Sequence, residues 1–103
     1  MPALHRVLRV DTPRDTFARV CSNSRLTVVV WEEATAVRHR VLMRSSADGR
    51  TFSPERILSE AVKASPLGPD IAVTPRGEFI AAWQEQRFSS VKTVVRTLRV
   101  VTP

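Results

Sequence analysis

Two stretches of nine residues constrain this chain more than any other feature. Residues 25–33, RLTVVVWEE, lie over residues 77–85, GEFIAAWQE, when Trp31 is set on Trp83 at an offset of 52 residues. At the same offset Arg40, Leu42, Met43 and Arg44 fall on Lys92, Val94, Val95 and Arg96, and ARVCSNS (18–24) falls on DIAVTPR (70–76) without a gap. The alternation inside the first run puts Leu26, Val28 and Val30 on one side and Thr27, Val29 and Trp31 on the other. A period-two segment that is largely apolar on both sides is a strand buried between layers, not one with a wet face. The chain therefore reads as one strand-built unit written twice.

Short strand-like runs continue along the chain, at about 4–10, 17–22, 26–32, 36–45, 54–59, 70–74, 78–84 and 90–100, with turn residues between them. Residues 55–64 have enough helix propensity for a turn or two, but Pro54 and Pro66 confine them and strand is the favoured reading. A repeat of about 50 residues carrying four short strands has the length of a propeller blade. The expected fold is all-β: a single domain over 1–103 with two antiparallel, four-stranded blade-like units at about 17–60 and 68–100. The second unit lacks a clear fourth strand, which residues 4–10 would complete. An open pair of blades exposes apolar faces and sheet edges, so self-association of several chains into a closed ring is expected, three copies making six blades. The rival is a truncated relative, marginal as a monomer.

The stretch RSSADGRTFSPERI (44–57) breaks one run at Asp48-Gly49 and restarts behind Thr51-Phe52. SSADGRTF resembles the Asp box of sialidase-like propellers, the BNR repeat, S-x-D-x-G-x-T-W. Ser45, Gly49, Thr51 and Phe52 fall on the Ser, Gly, Thr and aromatic positions; Ala47 stands where the family has Asp, and Asp48 comes one place later. The text that follows, DGRTFSPERILSE and PDIAVTPRGEFIAAWQE, is similar to the blades of that family as well. What the resemblance implies is structural. The box closes a hairpin between a blade's third and fourth strands and lies away from the family's catalytic face. Its chemistry is that of a tight turn, with side-chain oxygens accepting free backbone N–H groups and Gly taking positive φ. Asp-Gly between apolar runs marks a hairpin in any β protein.

Catalysis finds no candidate. The resemblance would require a Tyr nucleophile, and the chain has no Tyr. Paired carboxylates about 5 Å apart would be the substitute, but Glu32, Glu33, Glu85 and the other acids stand at turns and strand ends and read as solvated. His5 and His39 have no ligand-spaced partners, so neither a metal nor a cofactor is expected. Cys21 reads as a small buried hydrophobe. No segment reaches the roughly 20 apolar residues of a membrane-spanning helix, no leader-like run is present, and the cytoplasm is the default location.

Binding is the remaining class. Trp31 and Trp83 end their strands at matching positions with Glu33 and Glu85 two residues on, an arrangement that offers a sugar a ring face and hydroxyl acceptors; equally, the rings fill space between sheets. A net charge of +6, from fourteen Arg and two Lys against ten acids, admits an anionic partner. Arg38, Arg40 and Arg44 alternate onto one face, with Lys92 and Arg96 at the repeat-equivalent positions, and such a row binds carboxylates or sulfates. Nucleic acid is disfavoured, because the few aromatics sit in apolar runs or turns and not beside the cations. The expected function is a non-catalytic binding or scaffold module with carbohydrate as the favoured ligand; the alternative is a basic module for an anionic polymer or protein.

Overall fold

The computed structural model describes residues 15–35, 39–59, 65–86 and 89–100. The expected strand 4–10, Arg38 and residues 60–64 of the Pro-confined segment 55–64 lie outside these residues. The described chain is all-β, with no helix, and forms two antiparallel sheets.

The first sheet is a four-stranded meander of β1 (Asp15–Ser22), β2 (Thr27–Ala34), β3 (His39–Ser46) and β4 (Arg56–Ile57). The second is a three-stranded meander of β5 (Ser65–Val73), β6 (Phe79–Gln86) and β7 (Val91–Leu98). The second unit thus has three strands among the described residues where four were expected. In the first, Pro54 has no N–H to give to a ladder and β4 is only two residues long. Leu58 N–H still donates to Val41 O, and the Ser59 hydroxyl accepts Val41 N–H at 3.0 Å, so β3 is satisfied past the end of β4.

The duplication holds to the residue in the central hairpins. β6 starts 52 positions after β2, and β7 starts 52 after β3. Trp31 pairs with Leu42 as Trp83 pairs with Val94. The first strand of each unit departs from the gapless match. β1 carries a bulge between Thr16 and Arg19, β5 one between Leu67 and Asp70, so these strands correspond at 51 residues and not 52. The slip is absorbed in the turns, because residues 74–78 between β5 and β6 are one more than residues 23–26 between β1 and β2. Within the bulges Phe17 (φ 56°) and Gly68 (φ 58°) take the same left-handed backbone at that same spacing.

Side-chain alternation then decides how the sheets meet. Val28, Val30, Val41 and Met43 share one face of the first sheet, and Phe79, Ala81, Trp83 and Leu98 share one face of the second; all belong to a single buried cluster with Leu26, Leu58 and Ile71. The sheets therefore stack face to face, the Trp83 side of one on the side of the other that faces away from Trp31. Trp31 lies on the far face of the first sheet, in a smaller cluster with Val29, Leu42 and the partly buried Phe52. Each unit thus presents its Trp side in the same sense.

Candidate functional site

The turn between β3 and β4 is held by side-chain oxygens. Asp48 Oδ1 accepts Arg50 N–H and Thr51 N–H, each at 2.8 Å, and the buried Ser46 hydroxyl accepts Gly49 N–H at 2.7 Å. The Thr51 and Arg50 N–H bonds hold the Asp48 carboxyl below the usual carboxylate range. Gly49 takes φ 75°, a region that β-carbon sterics close to most residues. Ser45, which the pattern match put first in the box, sits one place earlier on β3: its N–H goes to the Ser53 hydroxyl and its O accepts Ser53 N–H, closing the hairpin neck. The turn-capping serine is therefore Ser46, two residues before Asp48. Phe52 leaves the turn to pack on the Val29, Trp31 and Leu42 cluster.

The two tryptophans occupy equivalent places with different polar partners. Both rings are buried, at 1% and 2% exposure, and neither offers a face to a sugar within this chain. Trp83 Nε1 donates to Glu85 Oε2 at 3.2 Å. Glu33, the counterpart of Glu85, instead takes Arg40 Nε at 2.7 Å, and Trp31 Nε1 has no hydrogen-bond acceptor among the described residues. Glu32 and Glu85, read as solvated strand ends, are both buried. Glu32 reaches out of the first sheet: its Oε1 accepts Gly68 N–H at 2.9 Å from the bulge of β5.

The arginine row is divided in the same way. Cross-strand register puts Arg40 beside Glu33, and Arg44 lies 3.9 Å from Glu55, so both guanidiniums face carboxylates; Lys92 is exposed and Arg96 half-buried on the equivalent strand of the other sheet, whose corresponding face turns toward the core. The two halves of the row thus lie on different layers and do not form one surface.

A groove of about 500 Å³, missed by sequence reasoning, opens where the two sheets end, beside the turns. Asn23 lines it and ties its two sides together. Asn23 Oδ1 accepts Arg25 N–H and Leu26 N–H at 2.8 and 2.7 Å, shaping the β1–β2 turn, while Nδ2 donates across the sheets to Gly77 O at 2.7 Å. The opposing turn closes with Gly77 N–H on Thr74 O and Thr74 N–H on Glu78 O, with Gly77 at φ 84°. Arg25, Glu78 and Arg99 are exposed at the rim, and Arg56 Nη1 fixes the Arg99 carbonyl at 2.9 Å. Chemically this is a polar cleft with two guanidiniums and one carboxylate. The signal available was the pair of turn texts SNSR and PRGE, but their juxtaposition depends on stacking.

Among the described residues no three His, Cys, Asp or Glu side chains gather as a metal site, and no helix is long and apolar enough to cross a membrane. No family model, no curated protein and no solved structure matches the chain.

Proposed function

We propose that this chain is a non-catalytic binding scaffold, two successive blades of a sialidase-like propeller, and that its ligand is a carbohydrate bearing an acidic group. Support for the blade reading comes from the equal sense of the two stacked units and from the β3–β4 turn. Read from Ser46, the stretch Ser46-Ala47-Asp48-Gly49-Arg50-Thr51-Phe52 keeps the S-x-D spacing of the Asp box and is one residue short before the glycine.

The observation that carries the ligand class is the polar groove between the sheets. With Trp31 and Trp83 buried, stacking on their rings is replaced by hydrogen bonding at the rim, where Arg25 and Arg99 fit a carboxylate or sulfate and Asn23 and Thr97 border the cleft. Among the described residues Glu78 is the one carboxylate lining it, so they supply no acid pair there for retaining or inverting hydrolysis. Saturation-transfer NMR with uronic-acid, sialylated and neutral oligosaccharides tests this. Transfer to the acidic sugars that is lost in Arg25→Ala, Arg99→Ala supports the assignment; no transfer to any sugar contradicts it. The polymer alternative keeps the net charge of +6 in its favour. Heparin retention that disappears between about 0.1 and 0.5 M salt, without oligosaccharide binding, would favour it.

A further inference from the structure

The interface inside the chain is a template, and each of its halves occurs a second time. The receiving half is Val28, Val30, Val41, Met43 and the Glu32 carboxylate; at the strand offset its copy on the second sheet is Ile80, Ala82, Thr93, Val95 and Gln84. These point away from the core, by the same alternation that points Trp83 into it. The inserting half is the Trp83 side plus Gly68 N–H, and its copy on the first sheet is the Trp31 side plus Phe17 N–H. Glu32 and Gln84 both end in an sp² oxygen on the same length of side chain, and Phe17 holds the left-handed bulge backbone that aims Gly68 N–H at Glu32.

We propose that a second copy of this chain docks head to tail on the outer face of β5–β6–β7, with Gln84 Oε1 accepting Phe17 N–H of the incoming copy. The proposal rests on reading the two sheets as successive members of one stack.

Three observations single out this occupant. In a chain of net charge +6, Asp70 is the one charged side chain described on that outer face, while Val91 and Val95 on it are 60% and 63% exposed. On the far sheet Phe17 and Val20 are each 66% exposed along β1, the strand that would meet it. Phe17, a bulky residue, keeps a backbone that costs L-residues free energy, as strained residues do where the surroundings or a partner require them. The contact is heterologous: the used face of one copy leaves the opposite face free for the next, so growth ends only when the rotation closes a ring.

Sedimentation velocity on the full chain from about 5 µM to 1 mM tests it, with Val95→Arg, Gln84→Glu and Gln86→Glu beside the parent. The parent gains mass with concentration. Val95→Arg, at an exposed position that leaves the melting temperature unchanged, stays monomeric. Gln84→Glu copies Glu32 and associates about 5- to 10-fold more tightly, more than Gln86→Glu, which adds the same charge to the same face off the clasp. A parent that is monomeric throughout, or a Val95→Arg protein that associates like the parent, overturns the docking face; Gln84→Glu no tighter than Gln86→Glu overturns the clasp. Oligosaccharide binding is read separately: association without it removes the ligand assignment and leaves this interface, and binding by a strictly monomeric chain does the reverse.

Discussion

Replacing Glu32 by Ala removes the carboxylate that joins the two sheets through Gly68 N–H. That bond is 2.9 Å long, its acceptor residue is 5% exposed, and its partner lies 36 residues on, in the other sheet. Hydrogen bonds to charged groups contribute about 1.5–3 kcal/mol net. Gly68 is itself exposed, so its N–H returns to water when the acceptor is removed, and we expect a loss at the lower end of that range, about 1.5–2 kcal/mol, for Glu32→Ala. Glu32→Gln keeps an oxygen at the same place and loses only the charge, which should cost about 1 kcal/mol. A chain of this length has a total stability of about 5–15 kcal/mol, so the Ala variant remains folded and measurable. Urea unfolding followed by tryptophan fluorescence gives both values, and an unchanged denaturant slope would show that the folded and unfolded surfaces are preserved. Glu32→Ala within about 0.5 kcal/mol of the parent, the range of ordinary surface substitutions, would refute the reasoning that this carboxylate clamps the sheets.

Other outcomes follow from the same geometry. Phe17→Gly relieves a left-handed backbone and should stabilise the monomer by about 1 kcal/mol, whereas Gly68→Ala should cost a similar amount although no atom lies within 4 Å of the added carbon; urea midpoints of equal sign for the two would contradict the shared bulge. Asp48 has a lowered folded pKa, so its contribution is present above the ordinary carboxylate value and is lost as pH falls through the lower one. Asp48→Asn should flatten the acid limb of the stability profile below the ordinary Asp pKa of about 3.9, and an acid limb identical to the parent's would count against the turn. Asn23→Ala removes an Asx turn and the bond to Gly77 O together and should cost about 1–2 kcal/mol by urea unfolding; a loss below about 0.5 kcal/mol would show that neither bond matters.

The central strands β2 and β6 were legible because the runs LTVVVW and FIAAW are mostly apolar on both sides, and that pattern survives duplication: Trp31 and Trp83 index the repeat without reference to anything outside it. The first strands were not legible to the residue. A bulge is a backbone event, and of its two renditions only Gly68 advertises positive φ, while Phe17 conceals it. The turn at 46–52 was found but entered one residue early, because fixing Gly49 on the pattern forces Ser45 into the serine position and only hydrogen bonds distinguish Ser45 from Ser46. Glu32 and Glu85 looked solvated because acids at strand ends usually are; their burial depends on a second sheet lying over one and on Trp83 Nε1 reaching the other. The polar groove joins turns more than 50 residues apart, and no local pattern reports that.

Everything functional proposed for the chain depends on the Trp83 side of the second sheet lying on the Val28, Val30 and Val41 face of the first. Nuclear Overhauser contacts from the Trp83 and Phe79 ring protons test this most directly. Stacked as described, these rings should show contacts to the methyl groups of Val28, Val30, Val41 or Met43. Ring contacts confined to residues of β5, β6 and β7 would contradict that stacking.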